Sequence, residues 1–432
     1  MHRPLTIAAS FAAFTLATVV VTPLAANATP HDATITSPVK DVVLTVGANE
    51  TSRNLSWLST DASDRCVKYT PQSGRGHQSK GRDREAVVSA YESAAATDAP
   101  NQYFHATLPR LKASTTYTYR IGDCKADWST SYTFTTRDKG AFSFLLFGDP
   151  QIGVSASGAL TGWPGWQNTL DQAQARFPRT DFLVTAGDQV NTYDNAAQSA
   201  EWDLFLKPAQ LTQLALAPTV GNHDNADGLG TQYAEHLAIP NRSVLGVTAT
   251  GTGDYWYTYN GALFMDVNTN NPDLSQHEAF LREAIAANPR ATWKTVVFHQ
   301  APFSSADHPM DADVVALREN FTPILSKLGI NLVLNGHDHD YARSYLMNGT
   351  TVEPGTGGST VKARKGDVLY IATNSASGGK FYPLTGPYPW VAVANQENVP
   401  NYSRVSVNRD QITVSTYRTT DGSTVDQVTL KK

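Results

Sequence analysis

Five apolar segments of this chain each run straight into a short motif built from Gly, Asp, Asn and His. Phe147 leads into Gly148-Asp149-Pro150-Gln151, and Ala186 into Gly187-Asp188-Gln189-Val190-Asn191. Val220 leads into Gly221-Asn222-His223-Asp224, and Phe298 into His299-Gln300-Ala301-Pro302. Leu334 leads into Asn335-Gly336-His337-Asp338-His339-Asp340. The segments before the motifs are short, apolar and rich in Val, Leu and Phe, which is how buried strands read. In an open α/β sheet the loops after the carboxyl ends of the strands converge on one crevice. A fold that satisfies this pattern must therefore bring residues 149, 188, 222, 299, 337 and 339 to a single place.

The texture around these motifs agrees. Residues 167–177, 199–214, 276–287 and 313–328 have helical spacing, while 142–147, 181–185, 294–298, 331–334 and 367–372 read as strands. Residues 255–267 read as a hairpin turning at Asn260-Gly261, and 402–430 alternate as two or three strands. Strands interleaved with helices give an α/β domain, here with antiparallel additions. Ahead of it, residues 33–136 are β throughout, with Gly, Pro, Asp and Ser between the runs, which suits a small sandwich. The basic segment 72–84 reads as a solvated loop, and Arg137-Asp138-Lys139-Gly140 as a charged hinge.

The first residues have another character. His2 and Arg3 precede an apolar run from Leu5 to Val21, Pro23 breaks it, and Ala26-Asn27-Ala28 offers small residues for cleavage. This reads as an export signal removed near Ala28 rather than a membrane anchor, and no later segment is long and apolar enough to span a bilayer. The expected division is a signal over 1–28, a β domain over 29–137 and the motif-bearing domain over 138–432, in a secreted protein. Secretion makes a Cys66–Cys124 disulfide the expectation over two free thiols. With two cysteines the chain is neither a cysteine-rich scaffold nor a four-cysteine zinc module. Lys plus Arg number 34 against 39 Asp plus Glu, a net charge of -5, which argues against a protein built to coat nucleic acid. The sequence points to no protein partner.

The side chains gathered by the motifs suit two adjacent divalent cations. Carboxylates supply hard oxygen and negative charge, and neutral imidazoles suit zinc, iron or manganese. Holding two cations about 3.5–4 Å apart requires a bridging group, and a carboxylate is the natural one.

In this order the motifs resemble those of the calcineurin-like metallophosphoesterases, over roughly residues 142–432. Within that superfamily the chain is most similar to purple acid phosphatases and their bacterial relatives, which carry a fibronectin type III-like domain in front. Thr115-Thr116-Tyr117-Thr118-Tyr119-Arg120-Ile121-Gly122 is similar to a late strand of that domain, and Tyr341-Ala342-Arg343 to the acid phosphatase continuation. The resemblance implies an α/β fold with α+β features: a metallophosphoesterase β-sandwich flanked by helices, preceded by a small all-β sandwich. It implies that Asp149, Asp188 and His339 hold a first metal, that Asp188, Asn222, His299 and His337 hold a second, and that Asp188 bridges. The pair would be two divalent ions or a mixed-valence pair. His223 would point at the substrate phosphoryl group, with Asp224 orienting it.

Two departures stand out. The superfamily often has His where this chain has Gln151, which leaves two readings: ligation through the amide oxygen, or a held water. Purple acid phosphatases have a metal-binding Tyr where this chain has Asn191, so the expected protein is colourless. Asn191 and Arg343 are expected behind the ligands rather than on the metal. The implied reaction is attack of a metal-bound hydroxide on the phosphorus of a small phosphorylated substrate. His308, nine residues after His299, is a further candidate at the mouth. Trp163, Trp166, Tyr382 and Trp390, in loops beside the motifs, are candidates for the pocket wall. Monoesters are the expected substrates; phosphodiesters are the alternative, and a non-catalytic metal-dependent binding protein is the reading from another class.

Overall fold

The computed structural model describes residues 39–72, 85–92, 101–154, 162–194, 196–248 and 252–432. The expected export signal and most of the 72–84 loop lie outside the described residues.

The chain adopts a mixed α/β fold dominated by sheets. Phe142–Phe147, Phe182–Thr185 and Ala215–Pro218 are adjacent parallel strands, and every residue in them is buried. Burial on both faces is why these runs are apolar without alternation. They lie mid-sheet among eleven strands. On one side the sheet continues through Asn401–Val407, Gln411–Arg418 and Thr424–Lys431, the antiparallel C-terminal additions. A second sheet, of seven strands, places Ala262–Asp266, Trp293–Val297, Leu332–Asn335 and Leu369–Ala372 in parallel. Its hairpin turns at Asn260-Gly261, both at positive φ, as a tight two-residue hairpin requires. One core cluster draws on both sheets, with Phe144, Phe182 and Leu334 beside Tyr257 and Phe264.

The front β region does not end where the motif-bearing region begins. Lys40–Val46 pairs in parallel with Ala215–Pro218 at Thr45 and Leu216, so the eleven-stranded sheet carries on into Arg53–Ser59 and Gln102–Leu108. A four-stranded sheet, Ala86–Ser89, Cys66–Pro71, Thr116–Gly122 and Tyr132–Thr135, completes this region. Cys66 and Cys124 form a disulfide, with Cα atoms 5.1 Å apart. The expected hinge is pinned. Arg137 Nε donates to the Thr180 carbonyl at 3.2 Å, and Arg179 Nη2 lies 3.4 Å from Asp138 Oδ2.

Helices differ from expectation at their ends. The first spans Trp163–Arg176, starting earlier because Pro164 sits in its first turn, where no backbone N–H is needed. The span expected over 199–214 divides into Ser199–Phe205 and a 3-10 turn, Ala209–Thr212, because Pro208 interrupts it. No helix among the described residues is long and apolar enough to cross a membrane.

Candidate metal centre

Register brings the motifs together. In the first sheet Phe147, Thr185 and Pro218 are level with one another, so Asp149, Asp188 and Asn222 emerge from one edge. In the second sheet Val297 is level with Leu334, so His299 and His337 emerge together and His339 follows. Tight, irregular turns then fold the side chains inward. Asp149, Gln151, Asp188, His337 and His339 all have positive φ, between 40° and 73°. Left-handed backbone at a residue with a side chain costs about 1–3 kcal/mol and persists where surrounding structure enforces it. The glycines of the motifs are needed for space: a Cβ at Gly187 would lie 2.3 Å from His299 Nδ1, and one at Gly221 2.0 Å from Asp188 Oδ1.

The six candidate ligands meet. His299 Nε2 lies 3.1 Å from Asp188 Oδ2 and 3.9 Å from Asp149 Oδ1. His339 Nε2 lies 3.7 Å from Asp149 Oδ1. His337 Nδ1 lies 3.1 Å from Asn222 Oδ1 and 3.2 Å from His299 Nε2. Two of the three imidazoles are oriented from behind. His299 Nδ1 is bonded to the Ala186 carbonyl at 2.8 Å and His339 Nδ1 to the Lys380 carbonyl at 2.9 Å, which turns both Nε2 atoms inward.

These residues fit a cation site. Asp149, Asp188 and His299 each offer an atom within 4.8 Å of the others. Asp149 Oδ2 and both amide atoms of Gln151 are buried without a hydrogen-bond partner, an arrangement that native interiors avoid unless something satisfies it. Burial, with Asp188 nearby, pushes Asp149 well above the carboxylate range; burial also takes His339 down to about 3. Burial works to raise Asp188 as well, but His299 and His223 hold it below its ordinary value. A cation among these groups removes the repulsion between the two carboxylates.

Above the cluster is a cleft of about 290 Å³, walled by Gln151, Tyr193, His223, His308, Lys380 and Tyr382. His223 Nδ1 bonds to the Asn191 carbonyl, so Nε2 faces the cleft, 3.9 Å from Asp188 Oδ2. Asn191 thus stands behind His223, through its backbone carbonyl. The His308 ring lies 4.5 Å from that of His337, with Nδ1 on Asp311 Oδ2 at 2.7 Å. The Asp338 carboxylate accepts backbone N–H groups of Ala306, Asp307 and His308 at 2.8 Å, which seats His308 over the cleft.

Other expected site residues lie elsewhere. Asp224 does not orient His223. Its carboxylate accepts the N–H groups of Gly221 and Gln189 at 2.7 and 2.8 Å, tying two motif loops together, because the turn after Gly221 aims it inward. Arg343 donates to Asp426 Oδ2 at 2.6 Å and to the carbonyls of Gly357 and Gly358, a buried strut to Thr424–Lys431. Trp166 is fully buried, stacked on Phe205, because its helix turns that face to the core. Trp163 packs against the core around Trp166 and Phe205, with Lys207 over its ring. Trp390 donates to the Ser304 carbonyl at 3.0 Å and stacks on Tyr388, bracing the loop rather than lining the cleft.

Tyr193 is the residue that sequence reading passed over. Its hydroxyl accepts from Asn222 Nδ2 at 2.6 Å, and its ring stacks on His223 with centroids 4.3 Å apart. The one available signal was an aromatic two residues beyond Asn191, in the loop after the second Gly-Asp pair.

The family model described as Calcineurin-like phosphoesterase matches residues 142–341, and that described as Purple acid Phosphatase, N-terminal domain matches 39–136. Along the chain the second of these matches precedes the first. An uncharacterised protein of Mycobacterium tuberculosis is 25% identical over 72% of this chain, and the chain spans 63% of that relative's length. Purple acid phosphatase 1 of Ipomoea batatas is 24% identical over 74% of this chain and 69% of its own length. Among solved structures, a purple acid phosphatase from yellow lupin (Lupinus luteus) seeds covers 91% of this chain and 74% of its own, with a TM-score of 0.71 and 15% identity. At that identity the likeness is one of fold.

Proposed function

We propose that this chain, with a calcineurin-like phosphoesterase domain behind a purple acid phosphatase N-terminal domain, is a secreted metal-dependent hydrolase of phosphate monoesters. The observation that carries the reading is the convergence of Asp149, Asp188, Asn222, His299, His337 and His339, from five loops on two sheets, beneath a cleft with two imidazoles in its wall. Asp149, Asp188 and His339 would hold one ion, with Gln151 beside them, and Asp188, Asn222, His299 and His337 a second. Two divalent ions, when bound, acidify a water and neutralise charge on the phosphoryl oxygens.

The chain's own groups do the rest. His223, with Nδ1 committed to the Asn191 carbonyl, presents Nε2 to the cleft. When protonated there, it donates to a phosphoryl or leaving-group oxygen. His308, fixed by Asp311, offers a second donor from the wall beside Tyr382. Tyr382 walls the cleft edge-on to both His308 and His339. With Asn191 where a tyrosine ligand would stand, the protein is colourless. Secretion is supported by the disulfide, which persists in oxidising compartments.

The test is turnover of p-nitrophenyl phosphate beside bis-p-nitrophenyl phosphate, after removal of metal and add-back of zinc, iron or manganese. Hydrolysis that favours the monoester and depends on added metal is expected. If no metal-replete form turns over either ester, the enzymatic reading fails. Preference for the diester would replace the substrate class.

A further inference from the structure

Lys380 brings a positive charge into the cleft wall. Its loop follows the strand Leu369–Ala372, and its carbonyl accepts from His339 Nδ1, so the backbone here is tied to the ligand cluster. The side chain has its own seat: Nζ lies 4.5 Å above the Tyr382 ring, and that ring stands edge-on to His308 and His339 at 4.9 and 5.3 Å. Among the described residues no carboxylate is paired with Lys380. An ammonium seated on a ring face and left without a counterion is arranged to meet an anion that arrives.

We propose that Lys380, seated on Tyr382, makes this cleft select phosphate monoesters over diesters. This rests on the hydrolytic reading above and adds the residue that sets its substrate class. A monoester brings two negative charges and three non-ester oxygens; a diester brings one charge and two such oxygens. A second substituent on phosphorus puts a neutral ester oxygen where the monoester has a charged one. A cation in the wall rewards the extra charge, and charge-assisted hydrogen bonds are about twice as strong as neutral ones.

The experiment uses the metal-loaded full chain and the variants Lys380→Met, Lys380→Arg and Tyr382→Leu. Because Lys380 contributes its carbonyl to His339, side-chain replacement leaves that bond in place, and equal bound metal in each variant checks it. For Lys380→Met, kcat/KM on p-nitrophenyl phosphate is expected to fall by about 10–100-fold. On bis-p-nitrophenyl phosphate it should fall no more than a few-fold. Calorimetric binding of inorganic phosphate should weaken in parallel, with dimethyl phosphate much less affected. Lys380→Arg should restore most of the preference, and Tyr382→Leu should lose part of it. Equal loss on both esters, or phosphate binding unmoved by Lys380→Met, overturns the proposal. Failure of the unaltered protein to hydrolyse either ester strikes the hydrolytic reading instead.

Discussion

The front β region and the loop cluster each bury a histidine, and the two are driven in opposite directions. His105, on the strand Gln102–Leu108, has Nε2 on the Glu235 carbonyl at 2.8 Å and its ring edge-on to Tyr91. Burial takes its pKa down to about 4, with the carbonyl opposing only weakly. Burial disfavours charge on His299 too, but Asp188 and Asp149 outweigh it, and its pKa rises to about 9. What separates them is the partner: a neutral carbonyl in one case, two buried carboxylates in the other. The backbone divides the same way. In the front region Asp41, Arg110, Ser114 and Cys124 take positive φ at scattered points, whereas five such residues share the loop cluster. The cluster concentrates strain and charge at one point, as functional sites do.

The comparison breaks most visibly at Asp188. In the proposed site it serves both ions, so Asp188→Ala should lower turnover by on the order of a thousandfold or more. Bound metal, measured by elemental analysis, should fall as well. Retained activity with full metal would show that the carboxylate is not shared.

His105 sharpens the other side. Its folded pKa lies below its unfolded value, about 6.5. At neutral pH both states are uncharged at this residue and it has no pH effect. As pH falls from about 6.5 to 4 the unfolded chain takes the proton first, and stability is lost, levelling off below that window. The shift corresponds to at most about 3 kcal/mol. Denaturant unfolding of metal-free protein at pH 7 and pH 4 should therefore show a larger acid loss in the unaltered chain than in His105→Gln. Equal losses in the two would mean that His105 protonates freely in the folded state.

Much of this was legible in the sequence, for a physical reason. A side chain brought to the carboxyl end of a buried strand follows an apolar run directly, so the meeting of Asp149, Asp188, Asn222, His299, His337 and His339 could be expected from the sequence. Where the partner is distant in sequence, local pattern says little. Arg343 meets Asp426, 83 residues on. Asp224 lies beside His223 in sequence, but its turn sends it to backbone amides. Trp166 sits near the first motif, yet its helix faces it inward. The front region reads as a separate sandwich because strand pattern does not name a strand's neighbour, and Lys40–Val46 finds Ala215–Pro218.

Tyr193 tests whether the cluster's order depends on groups that no motif records. The Asn222 amide can present either atom to the ligands, and only its oxygen is a donor to metal. With Oδ1 beside His337 Nδ1, the NH₂ group must point away, and the Tyr193 oxygen accepts it. Tyr193→Phe removes that acceptor while keeping the ring stacked on His223. Losing a partner behind a ligand weakens metal binding by about 10–100-fold, and the lower end is expected here because Tyr193 is half exposed to water that can replace it. Competition against a chelator would measure the affinity. The pH profile of turnover should keep its shape in Tyr193→Phe, since His223 retains both its stack and its Asn191 bond, and should change in Tyr193→Leu, which removes the stack. Affinity within about twofold of the unaltered protein would mean that His337 and the loop backbone orient Asn222 without help.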